Sequence, residues 1–171
     1  MTCVLSYSFR NGNPDDANVL YNLVVDRMAW MDRKGIRQWN VTEYLERFPI
    51  GYYVEMQHKG QLYVLTDDAS GKVVCAAVLK ESDDRWPDDG VRALYLHNFT
   101  SIVGWHEPVG DMFLDSCLTL ARRMHKDYLR LDCAIDNAFL NRYYSQRGYA
   151  DVGFCTHGLY RGVLRQKIIR Q

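Results

Sequence analysis

Between positions 111 and 125 the apolar residues Leu114, Cys117, Leu118 and Ala121 recur at i, i+3, i+4 and i+7. Phe113 and Met124 widen the stripe, and that period predicts an amphipathic helix. On either side the pattern shortens to strand-length runs rich in Leu and Tyr, 93–99 before the helix and 128–134 after it. Strand, helix and strand in succession predict a right-handed crossover between neighbouring parallel strands. The loop over 101–110 leads into the N-terminus of that helix, where free N–H groups and the dipole favour an anion. A second helix is expected over 137–146, closed by Gly148 and Tyr149.

The rest of the chain extends this unit. Residues 4–9 alternate roughly and read as an edge strand, followed by turn residues 11–16, where Asp15 or Asp16 is placed to cap a helix. That helix, 17–34, carries Leu20, Leu23, Val24, Met28 and Met31 on one stripe and stops at Gly35. A short helix is expected over 42–48, with Glu43 in its first turn facing the dipole. Tyr52, Tyr53, Val54 and Met56 make 50–59 compatible with strand or helix. The β-rich runs 62–66 and 73–79, joined by Asp67-Asp68-Ala69-Ser70-Gly71-Lys72, predict a hairpin, and a polar loop with Pro87 follows over 81–90. Two further strands, 150–157 and 160–169, flank Gly158.

Composition narrows the classes. A chain of 171 residues with 47% hydrophobic content suits a single domain, 1–171, with a real core. The 21 basic and 21 acidic residues cancel, which argues against a nucleic-acid or anionic-membrane partner. Five cysteines with no C-x-x-C pair, four of them in apolar segments, point to free thiols and a reducing, cytoplasmic setting. No run is apolar enough to span a membrane, and no secretory leader pattern opens the chain.

Asn137-x-x-Leu140-x-x-Tyr143-Tyr144-x-x-x-Gly148-Tyr149 resembles the corresponding helix of the Gcn5-related N-acetyltransferases (GNAT), and Trp30-x-x-x-x-Gly35-Ile36-x-Gln38-Trp39 resembles the first helix and turn of many small members. The resemblance covers most of the chain. It implies an α/β acyl-CoA N-acyltransferase-like fold, a mixed sheet with helices on both faces, and makes 50–59 a helix. It also implies acetyl transfer from acetyl-CoA to an amine of a small molecule or peptide by direct attack.

On that reading Tyr144 is the acid for the departing thiolate, since a phenol is protonated at neutral pH. Asn137 meets the pantetheine arm or caps its helix. The cofactor site would comprise Phe99, Thr100, Ser101, Val109, Gly110, Asp111 and Met112 besides Asn137. His97 is the candidate base, titrating near neutrality, with Glu81, His157 or water as alternatives. Trp39, Tyr52 and Tyr53 would wall the acceptor pocket.

The loop Trp105-His106-Glu107-Pro108-Val109-Gly110 departs from the family's Gln/Arg-x-x-Gly-x-Gly/Ala pattern. Trp105 replaces the first residue, Pro108 removes an N–H donor, and no Lys or Arg occurs between Arg92 and Arg122. Glu107 and Asp111 add negative charge there, so weak CoA binding is expected. A non-catalytic relative that binds a ligand or partner is the alternative, and the oligomeric state stays open between monomer and homodimer.

Overall fold

The computed structural model describes residues 6–170. Seven strands form one mixed sheet in the order β1-β2-β3-β4-β5-β7-β6. In chain order the elements are β1 (Tyr7–Asn11), α1 (Asp16–Lys34), α2 (Tyr44–Arg47), α3 (Ile50–His58), β2 (Leu62–Asp67), β3 (Val73–Lys80) and β4 (Ala93–Ser101). Then follow α4 (Val109–Arg123), β5 (Tyr128–Ala134), α5 (Ala138–Gln146), β6 (Ala150–His157) and β7 (Tyr160–Ile168). Val4 and Leu5 of the expected edge strand lie outside the described residues, as does Cys3.

The helices divide between the two faces as their stripes require. Phe113, Cys117 and Ala121 of α4 pack with Leu129 and Leu131 of β5 on one face. Leu20 and Val24 of α1, with Tyr53 and Met56 of α3, pack against Val64, Ala76 and Val78 on the other. Cys75, Cys117, Cys133 and Cys155 are free and buried, and burial pushes each thiol up, so all four behave as small core residues.

Local departures from the sequence pattern have identifiable causes. Asp16, rather than capping α1, accepts from the Asn13 N–H at 2.8 Å and from Arg10 at 2.6 Å, so it ties β1 to the turn. Asp15 occupies the cap position without a side-chain bond. Residues Trp39–Val41 form a 3₁₀ turn, and Glu43 takes a left-handed conformation (φ 53°) ahead of α2, not a place in its first turn. The helix expected from 111 starts at Val109, directly after Pro108, whose missing N–H costs nothing there.

β4 and β5 pair in parallel at the middle of the sheet, but only over Ala93↔Tyr128, Leu94↔Leu129 and Tyr95↔Arg130. Arg130, 3% exposed, holds the last paired rung, donating to the Tyr95 hydroxyl at 3.1 Å and to Asp89 at 2.7 Å. Beyond it the two strands part. The β3–β4 register slips where Val78↔His97 gives way to Ala76↔Thr100, which leaves β4 one residue longer than its partner. Such a bulge bends the strand that carries it. Asn98 lies in this bulge at φ 55°, a region Asn tolerates better than most residues. Its side chain donates to the Tyr44 hydroxyl at 2.6 Å and accepts from Tyr52 at 3.0 Å.

Replacing Asn98 by Ala removes both side-chain bonds, one buried and one part-buried, and leaves a residue averse to positive φ. Urea unfolding should show a loss of about 2–4 kcal/mol. Asn98→Gly, which accepts the conformation but not the bonds, should lose less.

Candidate active site

Where β4 and β5 separate, a cavity of about 840 Å³ opens through the sheet. β3 bonds the far edge of β4, and β7 bonds the far edge of β5 as far as Ala134↔Gly162. The facing edges of β4 and β5 therefore have no partner strand beyond Tyr95 and Arg130. Their N–H and C=O groups can take an extended amide-bearing ligand much as an open sheet takes a strand.

One end of the cavity is the N-terminus of α4. The Val109 N–H donates to the Glu107 carbonyl, and those of Asp111 and Met112 donate to Pro108, leaving the Gly110 N–H without a backbone acceptor among the described residues. A Cβ on Gly110 would stand 3.4 Å from the Tyr143 hydroxyl and 3.7 Å from Phe99 Cζ, ordinary contact distances, so both rings close over the turn.

The charge balance of this end is set from outside the loop. Arg147 of α5 forks the Asp111 carboxylate at 2.8 and 2.9 Å, and Tyr143 donates to the same carboxylate. Arg147, against a smaller desolvation cost, holds Asp111 below the usual carboxylate range. From α1, Arg27 reaches the Ser101 carbonyl at 2.9 Å and its hydroxyl at 3.1 Å. The expectation of an uncompensated acidic loop is corrected for Asp111. Two cations absent from the loop's own sequence reach it through the fold. Trp105 has turned to a structural task, donating its indole N–H to Tyr7 at 3.1 Å.

Of the expected cofactor-site residues, Phe99, Thr100, Ser101, Val109, Gly110, Asp111 and Asn137 line the cavity, and Met112 does not. Its side chain packs into the core beneath α4 instead. Asn137 serves two roles. Its carbonyl caps α5 by accepting from the Leu140 N–H at 3.0 Å, and its amide donates to Gln38 at 2.8 Å, joining α5 to the turn after α1.

Tyr144 lines the cavity and is 6% exposed. Burial pushes its phenol well above the ordinary value, so it stays protonated at neutral pH. Its ring is held edge-on by Tyr143 and Tyr149 at 5.2 and 5.6 Å. Tyr143 has given its proton to the bond with Asp111, which leaves Tyr144 as the phenol available to a ligand.

The other end is polar and built around Arg85, from the loop after β3. Its guanidinium approaches Asp132 at 3.1 Å, Asp83 at 3.4 Å and His97 Nδ1 at 2.6 Å. A guanidinium only donates, so Nδ1 must accept and the ring proton sits on Nε2, 3.2 Å from Asp83. Nδ1 is taken by Arg85, while Nε2, close to Asp83, makes no hydrogen bond among the described residues, so His97 is held in place through Nδ1. Donor atoms of Asp83, His97 and Asp132 lie within 4.8 Å of one another, a spacing a metal could use, but Arg85 supplies the cation.

Trp39 lines the cavity, stacked on Tyr44 at 4.6 Å. Tyr52 stands behind the wall, bonded to Asn98, and Tyr53 is buried in the core between α1 and the sheet. Glu81 is paired with Lys126 at the surface, away from the cavity. His157 borders a second cavity of about 420 Å³ that shares Arg47, Phe48, Arg85 and His97 with the first. The residues that the sequence did not single out, Arg27, Arg47, Arg85, Asp132 and Arg147, are ordinary charges in loops, helices and a strand, with no spacing to mark them.

No family model matches this chain, and no curated protein matches it in sequence. Solved structures match it in fold. A GNAT-family acetyltransferase from Listeria monocytogenes 4b F2365 superposes with a TM-score of 0.79 over 98% of each chain, at 22% identity. One from Streptococcus agalactiae 2603 gives 0.78 over 96% of each chain, at 17% identity. The PaiA N-acetyltransferase of Thermoplasma acidophilum, solved in complex with coenzyme A, gives 0.70 over 95% of this chain and 99% of its own, at 14% identity. The fold is that of the GNAT acetyltransferases. Among the described residues no helix is long and apolar enough to cross a membrane.

The Arg85 cluster makes acid sensitivity testable. Burial alone would raise the Asp83 carboxyl, but His97 and then Arg85 outweigh it and hold the group well below the usual range. A depressed folded pKa contributes stability that is complete above the unfolded value, about 3.9, and is lost as pH falls towards the folded one. Asp83→Asn should therefore cost about 3 kcal/mol at pH 7. Between pH 5 and 2 the mutant should lose less stability than the wild type, as read by urea unfolding at each pH.

Proposed function

We propose that the protein is an acetyl-CoA-dependent N-acetyltransferase. One observation carries the reading: parted parallel strands place an unpaired backbone edge, a helix N-terminus and the protonated phenol of Tyr144 around one cavity. The residues present suit coenzyme A. The free edge of β4 suits the amides of the pantetheine arm, and the Gly110 N–H with the α4 dipole suits the pyrophosphate. Arg27 and the Asp111–Arg147 pair keep that end from repelling phosphate.

When bound, acetyl-CoA supplies a thioester carbonyl open to attack. The backbone N–H groups of the bulge around Asn98 stabilise the negative charge that develops on its oxygen. As the amine formed its C–N bond and the C–S bond broke, Tyr144 would give its proton to the sulfur and regain one from water once the products leave. The proton lost by the amine would pass to water at the polar end of the cavity, since Arg85 occupies the His97 Nδ1 that would otherwise accept it. No enzyme nucleophile is needed, in keeping with four buried cysteines of raised pKa.

Transfer of labelled acetyl from acetyl-CoA to a panel of amines tests the reading, together with calorimetric titration of CoA. Transfer with CoA binding is expected, and failure of CoA to bind overturns it. Tyr144→Phe should lower kcat by about 10²–10⁴ while changing CoA affinity by less than about threefold. At the phosphate end, Arg147→Gln should weaken CoA about tenfold by exposing the Asp111 charge, and adding Asp111→Asn should restore most of the loss. Non-recovery in the double mutant would mean that Arg147 touches the phosphates itself.

A further inference from the structure

Four charged side chains meet at the polar end of the cavity, and three of them are matched. Asp83 and Asp132 both take Arg85, and Asp83 also faces His97. Arg47, the last residue of α2, lines the same end and is unmatched. Its Nε is buried without an acceptor, and no hydrogen bond or ion pair reaches its guanidinium among the described residues. The guanidinium lies over the face of Phe48, 5.5 Å from the ring centre. The other arginines at this cavity, Arg27, Arg85 and Arg147, each reach an acceptor within 3.1 Å.

An unpaired, partly desolvated guanidinium is costly to keep unless something completes it. Burial, and then the like charge of Arg85, press its pKa below the ordinary value. The setting also favours a negative partner. At the second cavity, which Arg47 shares, Lys59 is paired with Glu55 and Arg85 with Asp83 and Asp132, which leaves Arg47 and Lys80 against Asp84. Both carboxylates of the Arg85 cluster are already engaged, so they do not compete for Arg47. A planar carboxylate is the bidentate complement of the guanidinium fork.

We propose that Arg47 seats a carboxylate of the acceptor, so that the acceptor is an amino carboxylate rather than a simple amine. The inference rests on the acetyltransferase reading above. CoA phosphates are not the occupant, because the anion site for them is the α4 N-terminus at the opposite end. The aromatic wall of Trp39, Tyr44 and Phe48 beside Arg47 takes the apolar body of the same molecule.

The test reads binding as well as turnover. N-acetylleucine, N-acetylphenylalanine and N-acetyllysine, each beside its amide, differ only in the carboxylate and are titrated calorimetrically. At least one acid should bind wild type about tenfold more tightly than its amide. Arg47→Gln should collapse that ratio to within about twofold, and Arg47→Lys should keep part of it. Circular dichroism checks that each variant is folded. Equal binding of acid and amide, no binding of either, or a ratio that survives Arg47→Gln overturns the proposal. Acetyl transfer to the free amino acids and their amides is measured alongside. No transfer to any acceptor, with the carboxylate preference intact, overturns the enzyme reading and leaves the carboxylate subsite standing.

Discussion

Backbone groups at the centre of a sheet must be paired, and in this protein β4 and β5 stop pairing after three rungs. Everything at the candidate site depends on that break. The Arg130–Tyr95 rung holds the strands together below it, and the bulge at Asn98 turns β4 away above it. The opening is lined by donors and acceptors that the sheet itself leaves unsatisfied, so it is a binding surface before any side chain is considered. The side chains then divide it into an end at the α4 N-terminus and a charged end at Arg85.

The two ends use arginine differently. At α4 the cation is brought by α5, where Arg147 pairs with Asp111. An acidic first turn is favourable for the helix dipole but unfavourable for a bound phosphate, and Arg147 relieves the second effect without losing the first. At the other end Arg85 occupies the middle of two carboxylates and an imidazole. Buried pairs of this kind add little net stability over apolar packing, yet removing one member is expensive. The cluster therefore acts mainly to orient groups, and it leaves Arg47 as the cation with unused donors.

Periodicity was a guide to most of the architecture, though it left 50–59, the helix α3, open between strand and helix. The stripe on α4, the run lengths of β4 and β5 and the stop at Gly35 are local consequences of local residue choice, and the sheet with helices on both faces followed from their order. The Asn137, Tyr144 and Gly148 spacing was legible for the same reason, because all three belong to one helix and its ends. Boundaries governed by single contacts were less legible. Asp16 reaches Arg10 rather than capping its helix, and Glu43 takes a left-handed turn that no pattern announces.

What the sequence determined alone was therefore most of the elements, their order, the parallel crossover and the place of Tyr144 on α5. Only the tertiary structure decided which charges meet. His97 reads as a free imidazole along the chain, and in the fold Arg85, 12 residues away, takes its Nδ1. The loop after β4 reads as hostile to phosphate, and it is moderated because Arg147 lies 36 residues on and Arg27 reaches it from 74 residues before Ser101. The physical reason is range. Helix and strand preferences are set by neighbours three or four residues apart, whereas the charge at a site is a sum over groups that folding alone brings within a few ångströms.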